Sequence, residues 1–308
     1  MVALRSLAAV ALVAAAAGCG LGPGESSPGE ATMTVTRDYG AVPMLEATEE
    51  DPPSSETVIR FLDREAEITT RFGGGFVHSI DGLEGEISGG RSSDWFFFVN
   101  GIESSVGAAE VGVRGGDRMW WDYRDWTDAM RTPAVVGSWP EPFAQASTPE
   151  SERRQVSLDC LGADAPCDAV AEALGGTGAE VGEPADDPGP RILVGPWERV
   201  REDPVAAQVE RGPAASGVFA DFERSGGGFR LLALDQAADV VREADRGTGL
   251  VAALRHGEEP PTWVVTGVDA DGVMEAAAAL GEGSLADRYA LLASEGGEIA
   301  LPASGSGG

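Results

Sequence analysis

Lysine is absent from the 308 residues: all 22 basic side chains are arginine. That excludes a Walker phosphate loop, whose lysine reaches the terminal phosphates, and a Schiff-base lysine. Histidine occurs only at His78 and His256. With no G-x-S-x-G elbow present, a Ser-His-Asp hydrolase is not indicated either, and both histidines read as ordinary surface or satisfied side chains. Positive charge is scarce, with 51 acidic residues and a formal net charge of −29. A field of that sign repels nucleic acid and anionic lipid headgroups; it reads as a solubilising surface, with attraction of a cation or basic partner as the functional alternative. Cysteine occurs three times and asparagine once, at Asn100. The apolar run at the start, Leu7 to Ala17, is shorter than the roughly 20 residues a spanning helix needs.

That run follows Arg5 and ends in small residues, as a secretory signal does. Ala16-Ala17-Gly18-Cys19 resembles the lipobox of bacterial lipoproteins, with Ala16 standing where Leu or Val is usual; ordinary signal cleavage is the rival. The resemblance implies a signal peptide over 1–18, lipidation of Cys19, and an extracytoplasmic protein held to the bacterial cell membrane by its lipid. Residues 19–30 (GLGPGESSPGE and its flanks) have the Gly, Pro and Ser content of a flexible tether. With Cys19 assigned to lipid, Cys160 and Cys167 are an even pair in an oxidising compartment. They fall at the end of a strand-like run and at a helix start, so a disulfide would staple a strand-to-helix loop. A metal site would need more ligands nearby.

Length favours two domains. In the first, TMTVTRDYG alternates as a strand, and Val58, Ile59 and Leu62 have helical spacing. GGGFVHSIDGL reads as a strand between glycines. In DWFFFVNG, Trp95, Phe97 and Val99 face one way and Phe96 and Phe98 the other, so the strand is covered on both sides. Asn100-Gly101 signals a type I′ hairpin turn, because both central residues need positive φ. AEVGVRGGDRMWWDYRDW suggests two further strands around a Gly115-Gly116-Asp117 turn. The sum is a small sheet of four to five strands with one helix.

The order strand, helix, G-x-F-V-x-S-I-x-G-L, D-W-F-F-F-V-N-G and G-G-D-R-M-W-W-D-Y resembles the transcobalamin-like C-terminal domain over residues 31–127. That resemblance implies a β-grasp fold and binding of a small ligand, with a cobalamin-like molecule as one choice. No corrinoid-contacting motif carries over by residue. Phe96, Phe98 and one face of 119–123 read as core. The ligand-binding candidates are Trp95, Trp120, Trp121, Tyr123, Trp126 and Trp139. Trp121, Trp126 and Trp139 exceed what a small core needs, and suit either an interdomain contact, the favoured reading, or a stacking platform.

Residues 128–154 contain Pro and Ser without a period and read as a linker. Over 155–303, short β-branched runs three times lead into Ala-rich helical patterns, which signals an α/β sandwich with partly parallel strands; 304–308 read as a disordered tail. GVFADFE and FRLLALD read as a hairpin. ILVGPWERVREDP and WVVTGVDADGVME look like two similar halves. Asp269 and Asp271 lack further calcium ligands, and fit a helix N-cap better. No catalytic constellation or metal site emerges. The sequence therefore points to a non-enzymatic lipoprotein, with no resident cofactor, that binds a small molecule or serves an envelope transport protein. A scaffold binding a protein or surface polymer is the alternative; a hydrolase built on carboxylates is a third reading.

Overall fold

A computed structural model describes residues 25–71, 74–144, 155–182 and 189–304. The expected signal peptide, Cys19, most of the tether, residues 145–154 of the expected linker and residues 305–308 lie outside these.

The chain is mixed α+β. Its first half runs β1 (Glu30–Arg37), β2 (Val42–Glu50), α1 (Val58–Glu65), β3 (Ile68–Arg71), β4 (Phe76–Ile80), β5 (Leu83–Glu84), β6 (Glu86–Ser88), β7 (Arg91–Val99), β8 (Ile102–Glu103) and β9 (Arg118–Asp125). The main sheet has the order β2-β1-β9-β7-β6, with β8 added to β7. β9 lies parallel to β1 and antiparallel to β7, so the last strand of the unit is inserted beside the first, a β-grasp arrangement. Strands β3, β4 and β5 make a small sheet apart from it. Helix α1 buries Val58, Phe61 and Leu62 against one face of the main sheet, in a core shared with Met33, Val35, Trp95, Met119 and Trp121.

Two turns hold the centre of this sheet in register. Asn100 and Gly101, at φ 54° and 77°, form the two-residue connection between β7 and β8. Asn100 Nδ2 donates to Asp117 Oδ1 at 2.9 Å, and Asn100 Oδ1 accepts from the Arg118 amide at 2.9 Å. The Asn-Gly turn is thereby clasped to the Gly116-Asp117 turn that launches β9, and Gly116 itself sits at φ 93°. The sequence suggests a strand on each side of that second turn, and only the later one forms. Residues 104–117 make a loop with one isolated bridge, Thr57 to Gly112. Glycines at 107, 112, 115 and 116 remove the side chains a ladder would pack.

The second half runs β10 (Ser157–Cys160), α2 (Asp164–Gly175), β11 (Arg191–Pro196), α3 (Trp197–Val200), α4 (Pro213–Ser216), β12 (Ala220–Ser225), β13 (Gly228–Leu234), β14 (Val240–Glu243), β15 (Gly249–Leu254), β16 (Thr262–Gly267), α5 (Ala270–Ala278), α6 (Glu282–Leu285), β17 (Ala290–Ser294) and β18 (Gly297–Leu301). Its sheet has the order β10-β11-β16-β15-β17-β18. The first three strands are parallel and the rest antiparallel. The two similar-looking segments supply adjacent parallel strands, with Ile192 opposite Trp263 and Val194 opposite Val265. Helices α2 and α5 cover one face. The other face packs on Trp197 of α3, the β12-β13 hairpin and part of the first half. Asp269 caps α5 by accepting from the Gly272 amide at 2.9 Å. Cys160 and Cys167 are joined in a disulfide across the β10-to-α2 turn.

Residues 128–144, expected as linker, are packed rather than free. Ala129 and Val135 enter the core facing the first half; Ala134, Val136, Trp139 and Phe143 enter the core under α2 and α5. A run with no period can still be buried when its apolar side chains fit gaps between elements that are themselves periodic.

Candidate functional site: an aromatic cavity and a sealed junction

Alternation along β7 and β9 sends the candidate aromatics two ways. Trp95, Phe97, Trp121 and Tyr123 face the α1 side; Phe98 and Trp120 face the second half. Both faces of these strands are covered, as the apolar pattern of DWFFFVNG predicts. The second cover is the other half of the chain.

On the α1 side, Phe97 stacks on Trp121 with centroids 4.7 Å apart, and Trp95 meets Tyr123 edge-on at 5.3 Å. Strand β6 pairs with β7 only as far as Ser93, and the pairing of β8 with β7 starts at Phe98. Between those points the outer edge of β7 has no ladder partner, and a cavity of about 300 Å³ opens there. Trp95, Phe96, Phe97 and Trp121 form its wall, with the start of β4 and the 104–108 loop around it. Phe76 and Val106, 38% and 48% exposed, also line it, although side chains of this kind are usually covered. The charged lining residues are Glu103 and Arg131, which pair at 2.7 Å. Glu103 also accepts from the Thr132 amide at 2.7 Å.

The indole nitrogens of this region differ. Trp95 Nε1 donates to the Leu83 carbonyl at 2.9 Å and Trp120 Nε1 to Thr36 Oγ1 at 2.8 Å. Trp121 Nε1 is buried and, among the described residues, has no acceptor. Trp263 Nε1 shares that condition, but Trp263 sits in the core of the second half, against Trp139 and Phe143.

On the opposite face lies a junction built around a buried acid. Asp122 accepts from Thr36 Oγ1 (2.6 Å), the amides of Tyr39 and Gly40 (both 3.1 Å) and the Tyr289 hydroxyl (2.9 Å). Burial pushes its carboxyl up to about 6, against the pull of these donors and of Arg124. The same burial raises the Tyr289 hydroxyl well above its ordinary range. Trp120, Phe98, Tyr39 and Tyr289 stack around this acid with centroids between 4.9 and 5.6 Å apart. Arg124 is fully buried; it donates to the carbonyls of Ala129 and Met130 and lies 3.9 Å over the Phe96 ring. A wider cavity of about 650 Å³ borders the junction, lined by charged groups that include Asp38, Asp287, Arg288 and Glu298, and by none of the tryptophans.

The sequence candidates thus separate. Trp95 and Trp121 line the cavity, and Tyr123 packs beside it. Trp120 belongs to the junction and Trp139 to the core of the second half, each 5% exposed or less. Trp126 is half-buried, its amide bonded to the Ser92 carbonyl, and it lines no cavity described here. Asn100, Gly101, Gly116 and Asp117 set strand register. Phe76, Val106, Glu103 and Arg131 escape sequence reasoning. The one available signal was Val106, a lone apolar residue in a loop of Ser, Gly and Ala. Among the described residues, no group of three or more His, Cys, Asp or Glu side chains could hold a metal ion. No helix among them is long and apolar enough to cross a membrane.

Residues 55–125 match the family described as Domain of unknown function (DUF4430), a transcobalamin-like family. No curated protein matches the chain. A crystal structure described as a "putative metal binding protein" from Ruminococcus gnavus is 15% identical, covering 32% of this chain and 97% of that one. Its TM-score is 0.25, too low to bear on fold or function. What the chain is similar to is therefore a transcobalamin-like family, over the segment that holds α1, β7, β9 and the lining of the aromatic cavity other than Arg131.

Proposed function

We propose that this chain is a non-enzymatic binding protein of the bacterial cell envelope, anchored through lipid on Cys19. In this reading it takes a small, flat, largely apolar ligand into the cavity beside β7, as an accessory to an uptake system. The observation that carries the reading is a cavity walled by Trp95, Phe97 and Trp121 whose mouth is flanked by exposed Phe76 and Val106. Apolar pockets with few polar groups are the usual form of small-molecule sites, and about 300 Å³ is at the small end of their range. That volume suits one or two rings. A corrinoid-like ligand would enter by an appended ring, with its macrocycle outside. The lining offers a single carboxylate, Glu103, already tied to Arg131, which speaks for binding over carboxylate catalysis. The transcobalamin-like match over 55–125 supports the same reading.

The scaffold alternative draws on one observation: Trp120 and Trp139 are spent on packing. Isothermal titration of the full chain with cobalamin and with small aromatic compounds separates the two. Saturable binding that Trp95→Ala removes supports the ligand reading. Absence of heat with every compound, from protein shown to be folded, would leave the scaffold. Membrane attachment is tested separately by fractionation, where Cys19→Ser should move the protein from the membrane to the soluble fraction.

A further inference from the structure

The cavity beside β7 has one open charge. The Arg131 side chain is 56% exposed, whereas that of Glu103 behind it is 5% exposed, and among the described residues no other charged side chain lines the cavity. Glu103 is held from three sides: by Arg131 Nε at 2.7 Å, by the Thr132 amide at 2.7 Å and by the fully buried Arg124 at 3.6 Å. Arg124 in turn attracts Asp122, which is buried as well. With Asp122 ionised, Glu103 and Asp122 balance Arg124 and Arg131, but the charges are not evenly placed. Both carboxylates and the Arg124 guanidinium are sealed in protein, so the end of the cluster that meets the cavity and the water before it is positive.

Arg131 faces Glu103 through Nε, and among the described residues its two terminal amino groups have no carboxylate partner. A guanidinium presents a planar fork that pairs a carboxylate through two parallel N–H donors. Apolar surface open to the same space comes from Phe96 and Phe97, both half-buried, and from Val106, 48% exposed. The net charge of −29 disfavours anions at a distance, but that field is screened over about 8 Å at physiological ionic strength, and a contact pair lies inside that distance.

We infer that the cavity takes a small aromatic carboxylate of one or two rings, its ring against Phe97 and Val106 and its carboxylate on the terminal amino groups of Arg131. The inference rests on the binding role proposed above and adds charge selection to it. The size follows from the volume of about 300 Å³. A neutral amide in the same place loses the charge-assisted bond, and an ammonium meets Arg131 as a like charge.

Three probes of one shape test this at neutral pH: naphthoate, naphthamide and naphthylmethylammonium, titrated calorimetrically into the purified full chain. Naphthoate should bind about tenfold more tightly than naphthamide, the ratio expected of one charge-assisted contact that stays partly in water, and the ammonium should bind most weakly. In Arg131→Gln naphthoate should fall to the affinity of naphthamide, with naphthamide bound as before. That variant leaves Glu103 with Arg124 and the Thr132 amide and replaces a side chain that is mostly in water, so the fold is kept; the ranking in the native chain stands without it in any case. Equal affinity for naphthoate and naphthamide in the native chain would overturn the role of Arg131 while leaving the cavity as a binding site. An equal loss of both probes in Arg131→Gln would do the same, since the side chain would then act through shape and not charge. No binding of any of the three would overturn the inference and the binding role together.

Discussion

The hydroxyl of Tyr289, just before β17, donates to Asp122 Oδ2 in β9 at 2.9 Å. This bond crosses from the β-grasp sheet to the mixed sheet, and both residues are almost fully buried. Removing the hydroxyl in Tyr289→Phe keeps the ring contacts with Tyr39, Phe98 and Trp120 while taking one donor from a buried acid. A cost of about 1 to 3 kcal/mol is expected. Chemical denaturation should show a lower midpoint with unchanged slope; an unchanged midpoint would mean the contact contributes nothing to stability.

Asp122 makes stability depend on pH in an unusual direction. Its folded value is raised from 3.8 to about 6, first by burial, so the folded state binds the proton more tightly than the unfolded chain. Its contribution is therefore fully present below about 4 and is lost as pH rises through about 6, a change on the order of 2 to 3 kcal/mol. Asp287, raised to about 6 by burial and by the charge of Glu46, acts with the same sign. Denaturation of the native chain and of Asp122→Asn at several pH values between 4 and 7 isolates the term. The native-minus-variant stability should fall across that interval. A rise would mean that the four donors, and not burial, dominate at this site.

Gly40 lies directly against the backbone of the second half. A Cβ there would lie 1.8 Å from the Asp287 carbonyl oxygen, and the residue has φ 81°. Gly40→Ala combines a backbone clash, relieved by moving the halves apart, with a backbone conformation that side chains disfavour, which is strained in place. A destabilisation of about 2 to 4 kcal/mol is expected. Limited proteolysis should show new cuts around 126–144, the segment packed into the junction. A variant as stable and as resistant as the native chain would mean the junction is loose enough to give way.

The split legibility of these features has a physical pattern. Period-two alternation in DWFFFVNG exposed both the strand and its double cover, because adjacent side chains must leave opposite faces. Asn100-Gly101 exposed the hairpin, because few residue pairs tolerate positive φ twice. Strand β2, VPMLEATEE, has no fully buried position, and the only apolar side chains it packs on the core are Leu45 and Ala47, too few to betray it. The cavity was hidden for a different reason. It lies where β6 stops short and β8 starts late, so it depends on strand ends, which local pattern fixes poorly. Phe76 and Val106 meet there from segments far apart in sequence. The junction acid was equally hidden: a charged residue within MWWDYRD reads as an outward-facing position until Tyr289 and the Tyr39-Gly40 turn arrive to cover it.

The disulfide joins residues seven apart and should act locally. Closing so short a loop restricts the unfolded chain modestly, about 2 to 3 kcal/mol in the chain-entropy model. The elements it ties together are weakly held otherwise. β10 is an edge strand of four residues paired only to β11, and α2 starts at Asp164 without a side-chain cap. Cys167 is buried in the core under α2, with Val170 and Leu174, so reduction should loosen the beginning of the helix while its second half stays packed. Hydrogen exchange after mild reduction should therefore quicken over residues 157–167 and change little in β16 or β9, which are interior strands of their sheets. Ligand binding at Trp95 and Trp121 should be unchanged by the same treatment, since the bridge lies in the other sheet. Loss of protection throughout the mixed sheet would instead make Cys160–Cys167 a global brace, and the packing of α2 and α5 on the sheet insufficient by itself.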